Sequence, residues 1–276
     1  MHMRAGPLAL AIGVAALVAV PSTACAKLDL RGKMEQGAVI VGDVDPGAHV
    51  ALDGKPVMVS GDGLFVMGFG RDAAPTATLK VTYPDGHAET RKLAIAKRDY
   101  EIQRINGVAP KYVTPPPDVL KRIAAERKLK AAARPADTPD TFFAEQFQWP
   151  ANGIVSGVFG SQRIFNGEPR RPHFGVDVAA PKGTPIVAPA DGIVTLAQPD
   201  MFYEGGLVFL DHGHGLIGYF MHMSKIDVKP GQHVRRGQKI GEIGATGRAT
   251  GPHVHWGMTW LGTYVDPVTL VGPMPK

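Results

Sequence analysis

The stretch HFGVDVAAPKGTP, residues 173–185, places a histidine four positions before an aspartate in a run too rich in glycine and proline for a helix. In an extended chain, residues i, i+2 and i+4 lie on one face. His173 and Asp177 are therefore predicted to point the same way, with the small Gly175 between them. An imidazole and a carboxylate on one face suit a cation such as Zn²⁺. The same spacing is common in hydrogen-bonded structural pairs, so a third ligand has to decide between the two interpretations.

Two His-x-His pairs are candidates for that third ligand. The first, in DHGHG at 211–215, lies between the apolar runs GLVFL and LIGYF, which predicts a hairpin turn with exposed polar residues. The second pair, His253 and His255 in HVHWGM, alternates with apolar residues as in a strand, and a strand holds ligands rigidly. A further histidine, His222, ends the run LIGYFMHM, and the two-residue period of a strand predicts that it shares the face of Phe220.

The motifs HFGVD, YFMHMS and GRATGPHVHW, in this order, resemble those of the lysostaphin or LytM type of zinc endopeptidases, which cut peptide bridges in bacterial peptidoglycan. The resemblance covers roughly residues 145–270 and includes the flanking stretches GTPIVAPADGIV and VRRGQKIGEIGATG. Met223 and Trp256 stand where leucine and phenylalanine are common in that family, and neither position is a ligand position.

The resemblance implies a role for each histidine of these motifs. His173, Asp177 and His255 match the three zinc ligands, and His222 and His253 match two catalytic histidines that do not bind the metal. Three protein ligands leave a fourth position open, as a catalytic zinc site requires. The cofactor implied is therefore Zn²⁺, and the reaction is hydrolysis by metal-activated water with two assisting histidines.

The composition favours a mostly β fold. Gly 34 and Pro 24 among 276 residues predict short strands and many turns, and a hydrophobic share of 44% is ample for a core. With the resemblance, this predicts an antiparallel β-sheet metallopeptidase domain of the duplicated hybrid motif type at 142–276. Before it we expect a small β-sandwich-like accessory domain at 27–112, because AHVAL, LFVMGF and ATLKVTY read as strands between turn signals such as DPG and PDG.

A proline-flanked linker at 113–141 is predicted to join the two domains. Its helix is expected to begin with Asp118 as N-cap and to stop at Pro135. Four residues give this helix an apolar side, and its basic residues are expected to be solvated or to contact an acidic partner. The apolar four are Val119, Leu120, Ile123 and Leu129.

The first residues have the layout of a secretory signal peptide at 1–26. Arg4 precedes an apolar run at 8–20 that is too short for a stable membrane span, and small residues follow up to Ala26. Cleavage there would export the chain to the periplasm or cell envelope and remove Cys25, the single cysteine. The alternative is a lipoprotein signal, in which Cys25 would carry a lipid anchor.

The sequence therefore predicts a hydrolase: a zinc-dependent metalloprotease acting on the stem peptides and crosslinks of cell-wall peptidoglycan. Cell-division or cell-wall proteins are candidate partners. Nucleic acid is not, because the net charge of +5 includes no dense basic block with interleaved aromatics. Two alternatives have no hydrolytic role: a metal-free LytM-type adaptor that activates cell-wall amidases, and a carrier module like biotinyl or lipoyl domains. Metal content separates the enzyme from both.

The sequence also contains candidates for elements that restrict access to the site. Asn166 lies close enough to the first motif to be a candidate for occupying the open zinc position. The N-terminal half is expected either to lean over the groove and restrict entry of polymer, or to position the enzyme at the wall.

Overall fold

The computed structural model describes residues 1–2 and 27–275, so the predicted signal peptide and Cys25 lie outside the described part except for the first two residues. Within the described part, no helix has the length and apolar character needed to cross a membrane. The described part consists mainly of strands, most of them paired antiparallel, which confirms the predicted mostly β class.

Seven strands form the N-terminal part and make two small sheets, ordered β1-β2-β5 and β4-β3-β6-β7. In β6 every second residue is buried, and Ala77, Leu79 and Val81 face the core as strand periodicity requires. The three segments predicted as strands fall in β3, β5 and β6. The strands are β1 (Leu28–Arg31), β2 (Val39–Val44), β3 (His49–Leu52), β4 (Lys55–Val57), β5 (Leu64–Gly68), β6 (Thr76–Thr82) and β7 (Ala88–Ala94).

A connecting region follows with a short strand and two helices: β8 (Ile102–Ile105), α1 (Pro110–Val113) and α2 (Pro117–Ala132). The N-cap of α2 is Pro116, and Asp118 lies in the first turn without capping an N–H group, so its predicted role as N-cap is wrong. The predicted apolar side is only partly covered, because Leu120 is 51% exposed and no residue of α2 is fully buried. The basic face does find acidic partners within the chain, since Lys130 pairs with Glu204.

The C-terminal part contains thirteen strands and an eight-stranded antiparallel sheet with the order β18-β14-β15-β16-β20-β12-β9, to which β21 adds on β20. A second sheet has the order β13-β19-β17. Two 3-10 helices span Phe142–Ala144 and Pro267–Leu270. The strands are β9 (Ile154–Gly157), β10 (Gln162–Phe165), β11 (Glu168–Pro169), β12 (Val176–Ala179), β13 (Pro185–Val187), β14 (Gly192–Met201), β15 (Gly205–Asp211), β16 (Leu216–Met223), β17 (Lys225–Ile226), β18 (His233–Val234), β19 (Lys239–Glu242), β20 (His253–Trp260) and β21 (Thr263–Val265).

The two parts of the chain share one hydrophobic core. Phe65 of β5 belongs to the same buried cluster as Trp256 of β20. At the contact, Arg98 forms an ion pair of 2.9 Å with the buried carboxylate of Asp266. In addition, β8 lies within the predicted accessory domain but pairs in parallel with β10 of the peptidase part, so the N-terminal half is tied directly to the region around the first motif.

The hairpin DHGHG differs from the prediction. His212 and His214 are buried, with exposures of 0% and 3%, instead of lying in an exposed turn. The segment before the 3-10 helix crosses over the hairpin: a Cβ on Gly213 would meet the carbonyl oxygen of Asp140 at 1.6 Å, and Phe143 N donates to His212 O at 2.9 Å. The hairpin pattern in the sequence gives no sign of this cover, because it is supplied by a separate segment.

The burial of His212 predicts a pH-dependent stability. Its Nδ1 contacts the carbonyl oxygen of Asp191 at 2.8 Å, while its buried Nε2 has no partner among the described residues to accept a second ring proton. Burial lowers the pKa of His212 to about 4, whereas an unfolded histidine has a pKa of about 6.5. The unfolded chain thus binds more protons, and the free energy of unfolding should fall as the pH drops from 6.5 to 4, by about 3 kcal/mol from this residue.

Urea unfolding at pH 7 and pH 4.5, compared between the wild type and His212→Gln, measures this contribution. The variant should lose less stability on acidification than the wild type, since its glutamine does not titrate. Equal pH dependence of the two proteins would contradict the assignment.

Candidate metal centre

Three side chains converge beside β12 and β20 of the large sheet. His173 Nε2 lies 3.0 Å from Asp177 Oδ1 and 2.8 Å from His255 Nδ1, and the latter two atoms are 2.8 Å apart. All three residues are buried, and one ligand atom from each can face a common point. The third donor, beside His173 and Asp177 of the first motif, is therefore His255 of HVHWGM. Neither histidine of the DHGHG hairpin belongs to this group.

Two of these side chains are positioned by strand pairing. Asp177 in β12 lies directly opposite His255 in β20, so the two side chains leave the same face of the sheet. Gly175 makes this approach feasible, because a Cβ there would lie 2.6 Å from His255 Nε2. The sequence prediction that a small residue leaves room at this position agrees with the geometry. Gly157 likewise leaves room for the Asp177 carboxylate, because a Cβ at Gly157 would lie 2.6 Å from Asp177 Oδ2.

His173 precedes the strand, since β12 begins at Val176. Its backbone is fixed by hydrogen bonds from His173 N to Ser161 O at 2.8 Å and from Gly160 N to His173 O at 2.7 Å. Its Nδ1 lies 3.0 Å from Val158 O and is the donor in that contact, because a carbonyl oxygen can only accept. With Nδ1 as the donor to this carbonyl, Nε2 is the ring atom that faces the common point, as metal ligation requires.

Asp177 has a second partner that the sequence did not reveal. Arg163 Nη2 donates to Asp177 Oδ2 at 2.5 Å, while Oδ1 is the atom that faces the two histidines. Burial raises the pKa of the Asp177 carboxyl, but the facing His173 and His255 outweigh burial and hold this pKa well below its usual value. Arg163 is one of many arginines in the chain, and only the folded structure distinguishes it.

His222 reaches the site by a different route from the one predicted. In an unbroken strand it would share the face of Phe220, which pairs with Trp256 on the side away from His255. Its backbone instead adopts a φ of 65°, a left-handed value that interrupts the alternation. The ring of His222 consequently lies 4.7 Å from the ring of His253 and 6.4 Å from that of His255, measured between centroids.

His222 and His253 both direct Nε2 away from a backbone carbonyl. His222 Nδ1 lies 2.8 Å from Thr246 O, and His253 Nδ1 lies 2.9 Å from Gly251 O, so each Nδ1 is a donor. Burial, aided by the charges of neighbouring histidines, lowers the pKa of His222 to about 3, which keeps this ring neutral at pH 7. His253 Nε2 is 3.8 Å from Asp177 Oδ1, farther than either of the other two histidines.

A cavity of about 290 Å³ opens onto Asp177, His222 and His253, and part of its lining comes from residues 103–112, which run from β8 into α1. Asn166 fastens this segment: its Oδ1 accepts from Val108 N at 3.2 Å and its Nδ2 donates to Val108 O at 2.6 Å. The idea that Asn166 occupies the open metal position is therefore wrong, because both ends of its amide are engaged elsewhere. The covering element next to the site is this connecting segment.

The donor set fits a borderline divalent cation. Two imidazole nitrogens and one carboxylate oxygen are ligands that Zn²⁺ prefers in catalytic sites. Burial also lowers the pKa of His255 to about 4, so its ring is neutral and able to coordinate at pH 7.

Comparisons with known proteins agree with this site. The sequence profile of peptidase family M23 matches residues 171–267, which include all three candidate ligands. A crystal structure described as an M23 peptidase from Pseudomonas aeruginosa has a TM-score of 0.68 and 35% identity, and the match covers 87% of this chain and 96% of that chain. The shared architecture therefore extends through the N-terminal half as well.

Matches to curated proteins cover smaller shares of this chain. Peptidoglycan DD-endopeptidase ShyA of Vibrio cholerae is 41% identical over 121 residues, which are 44% of this chain and 28% of ShyA. DD-carboxypeptidase/endopeptidase Mpg of Neisseria meningitidis is 41% identical over 106 residues, 38% of this chain and 24% of Mpg. The matched region spans about a quarter of the length of these relatives. With the Pseudomonas structure matched over nearly its whole length, the chain belongs to peptidase family M23.

Proposed function

We propose that the protein is a zinc-dependent endopeptidase that hydrolyses peptide crosslinks of bacterial peptidoglycan. The observation that carries this proposal is the convergence of His173, Asp177 and His255 on one point, beside two further imidazoles whose Nε2 atoms are free to act. A donor set of this kind leaves room for water and substrate at the metal, whereas a structural zinc site uses all four positions for protein ligands.

A zinc ion held by these three residues would supply Lewis-acid activation of the scissile carbonyl and of water. The other two histidines would handle protons. A neutral imidazole with a free Nε2 lone pair, as in His222, can accept a proton from the attacking water. The resulting imidazolium, or the neighbouring His253, can stabilise developing negative charge and return the proton to the leaving amine.

The names of the relatives suggest which peptidoglycan bond the protein hydrolyses. ShyA is a peptidoglycan DD-endopeptidase and Mpg a DD-carboxypeptidase/endopeptidase. We therefore propose the crosslink between D-alanine and diaminopimelate as the substrate bond, which also agrees with the proposed export of the chain to the periplasm or cell envelope. Cell-division or cell-wall proteins remain proposed partners. A metal-free adaptor is disfavoured, because every residue that the hydrolytic mechanism requires is retained in the site.

Digestion of purified, crosslinked peptidoglycan tests the proposal. Metal-loaded protein should release products whose masses correspond to cleavage at the D,D crosslink, and a chelator should stop the release. Readdition of Zn²⁺ should restore it. Intact crosslinks after incubation with protein containing about one equivalent of zinc would contradict the proposed activity.

A further inference from the structure

A strongly basic groove lies beside the metal centre, between α2 and the large sheet. It has a volume of about 580 Å³, and both His173 and His255 are among its lining residues. Seven of its lining residues are cationic, and Glu204 is the single acidic one. We call this feature the arginine groove and define it by its cations: Arg127, Lys130, Arg134, Arg163, Arg170, Arg171 and Arg248.

Most of these charges are not neutralised by the protein. Lys130 pairs with Glu204 and Arg163 with Asp177, but the other five arginines form no ion pair with any described residue. The Nε atoms of Arg134 and Arg170 are buried and have no hydrogen-bond partner among the described residues. Gathering like charges at partly buried positions costs free energy, so a groove of this kind indicates a site for an anion.

Arg248 is the most constrained of the five. Its guanidinium lies over the rings of Phe165 and Tyr203, 5.0 and 4.9 Å from their centroids. It makes no side-chain hydrogen bond to a described residue, and burial together with the charge of Arg163 lowers its pKa. Stacking on aromatic faces fixes the plane of a guanidinium and leaves its N–H edge available, which is the arrangement for bidentate recognition of a carboxylate.

Arg171, a second lining residue, has a similar arrangement. Its guanidinium lies 5.4 Å from the centroid of Phe174 and 5.5 Å from that of Tyr264, two rings that stack on each other. The residue itself is exposed, so its charge is directly available to a ligand. Two stacked arginines thus flank a groove that the ligand His173 also lines.

We propose that the arginine groove is a carboxylate-binding subsite for the stem peptide of the substrate, with Arg248 as its principal binding residue. The identity of the ligand rests on the proposed function. The groove and the metal centre share His173 and His255, so one extended ligand can occupy the groove and present a bond to the metal. Stem peptides with D-glutamate and diaminopimelate carry several carboxylates, and these match a row of separate guanidinium groups.

A titration that needs no cleavage tests the subsite. The probe is the stem tripeptide L-Ala-γ-D-Glu-diaminopimelate, which has no D,D crosslink, added to the metal-loaded full chain in a calorimeter. Wild-type protein should bind the free acid at least about tenfold more tightly than the same tripeptide with amidated carboxylates. Arg248→Gln should weaken binding of the free acid by about tenfold to a hundredfold, the loss expected for a charge-assisted bidentate contact.

Arg235→Gln is the matched control, because Arg235 is exposed and lies outside the groove, and its affinity should equal that of the wild type. If Arg248→Gln loses the near-ultraviolet circular dichroism of the folded protein, the same titration is done with Arg171→Gln, because Arg171 is exposed. Equal binding of acid and amide by wild-type protein, or wild-type affinity in a folded groove variant, would overturn the subsite. Neither result depends on whether peptidoglycan is cleaved, so this test is separate from the test of the enzyme.

Discussion

His255→Ala should leave the protein without bound metal and without detectable hydrolysis of peptidoglycan. Its Nδ1 is one corner of a triangle of donor atoms with edges of 2.8 to 3.0 Å, and no other described side chain is placed to replace it. With two protein ligands remaining, metal content after dialysis should fall from about one equivalent to near zero. Metal analysis by mass spectrometry, run beside the cleavage assay, measures both quantities on the same sample.

The control for this variant is His233→Ala, because His233 has a side chain that is 45% exposed and lies far from the donor triangle in the sheet order. It should keep both metal and activity. His214, which lies in the turn predicted to be exposed, is unsuitable as a control because it is buried against Phe143. A His255→Ala protein that is folded and still holds a full equivalent of zinc would show that the ligand set is misassigned.

Local signals predict which segments meet at the site, whereas the choice of His255 over His253 as ligand came from the family resemblance. The alternation in HVHWGM places His253 and His255 on one face of a strand, and this strand is β20. The small residue between His173 and Asp177 marks a close approach, which Gly175 indeed allows. Strand periodicity and glycine spacing depend on neighbouring residues only, so the sequence contains them in full.

Other features depend on contacts between distant segments. His222 reaches the site through one left-handed residue, which strand periodicity does not foresee. His212 is buried because residues near Asp140 cross the hairpin. The amide of Asn166 is engaged by Val108, a residue of the connecting segment.

The arginine groove is the clearest example of a feature that contacts between distant segments create. Its cations come from α2 and the residues just after it, from the β10 to β12 region and from the loop before β20, so no single stretch of sequence contains them all. The absence of a basic block argued against nucleic acid, and it also concealed an anion site that only folding assembles. Net charge describes the chain as a whole, whereas a binding site depends on where the charges meet.

His222→Ala and His253→Ala should each retain about one equivalent of metal and yet lower turnover by about two to four orders of magnitude. The rings contribute Nε2 atoms to the cavity above Asp177 but are held through Nδ1 by the carbonyls of Thr246 and Gly251. Loss of a proton acceptor or of a donor to developing negative charge slows the chemical step without removing a ligand. Turnover of crosslinked peptide and metal content, measured on the same preparations, separate these two effects.

The difference between a metal ligand and a catalytic histidine is tested most directly by His253 and His255, which are two residues apart on the same strand. His255 Nδ1 lies 2.8 Å from Asp177 Oδ1, whereas His253 Nε2 lies 3.8 Å from the same oxygen and has its other nitrogen committed to Gly251 O. If His253→Ala sheds its metal as His255→Ala does, His253 is a ligand and the division of labour is wrong. Metal retained with turnover unchanged would instead remove His253 from the catalytic group, and His222 would then act alone as the proton acceptor.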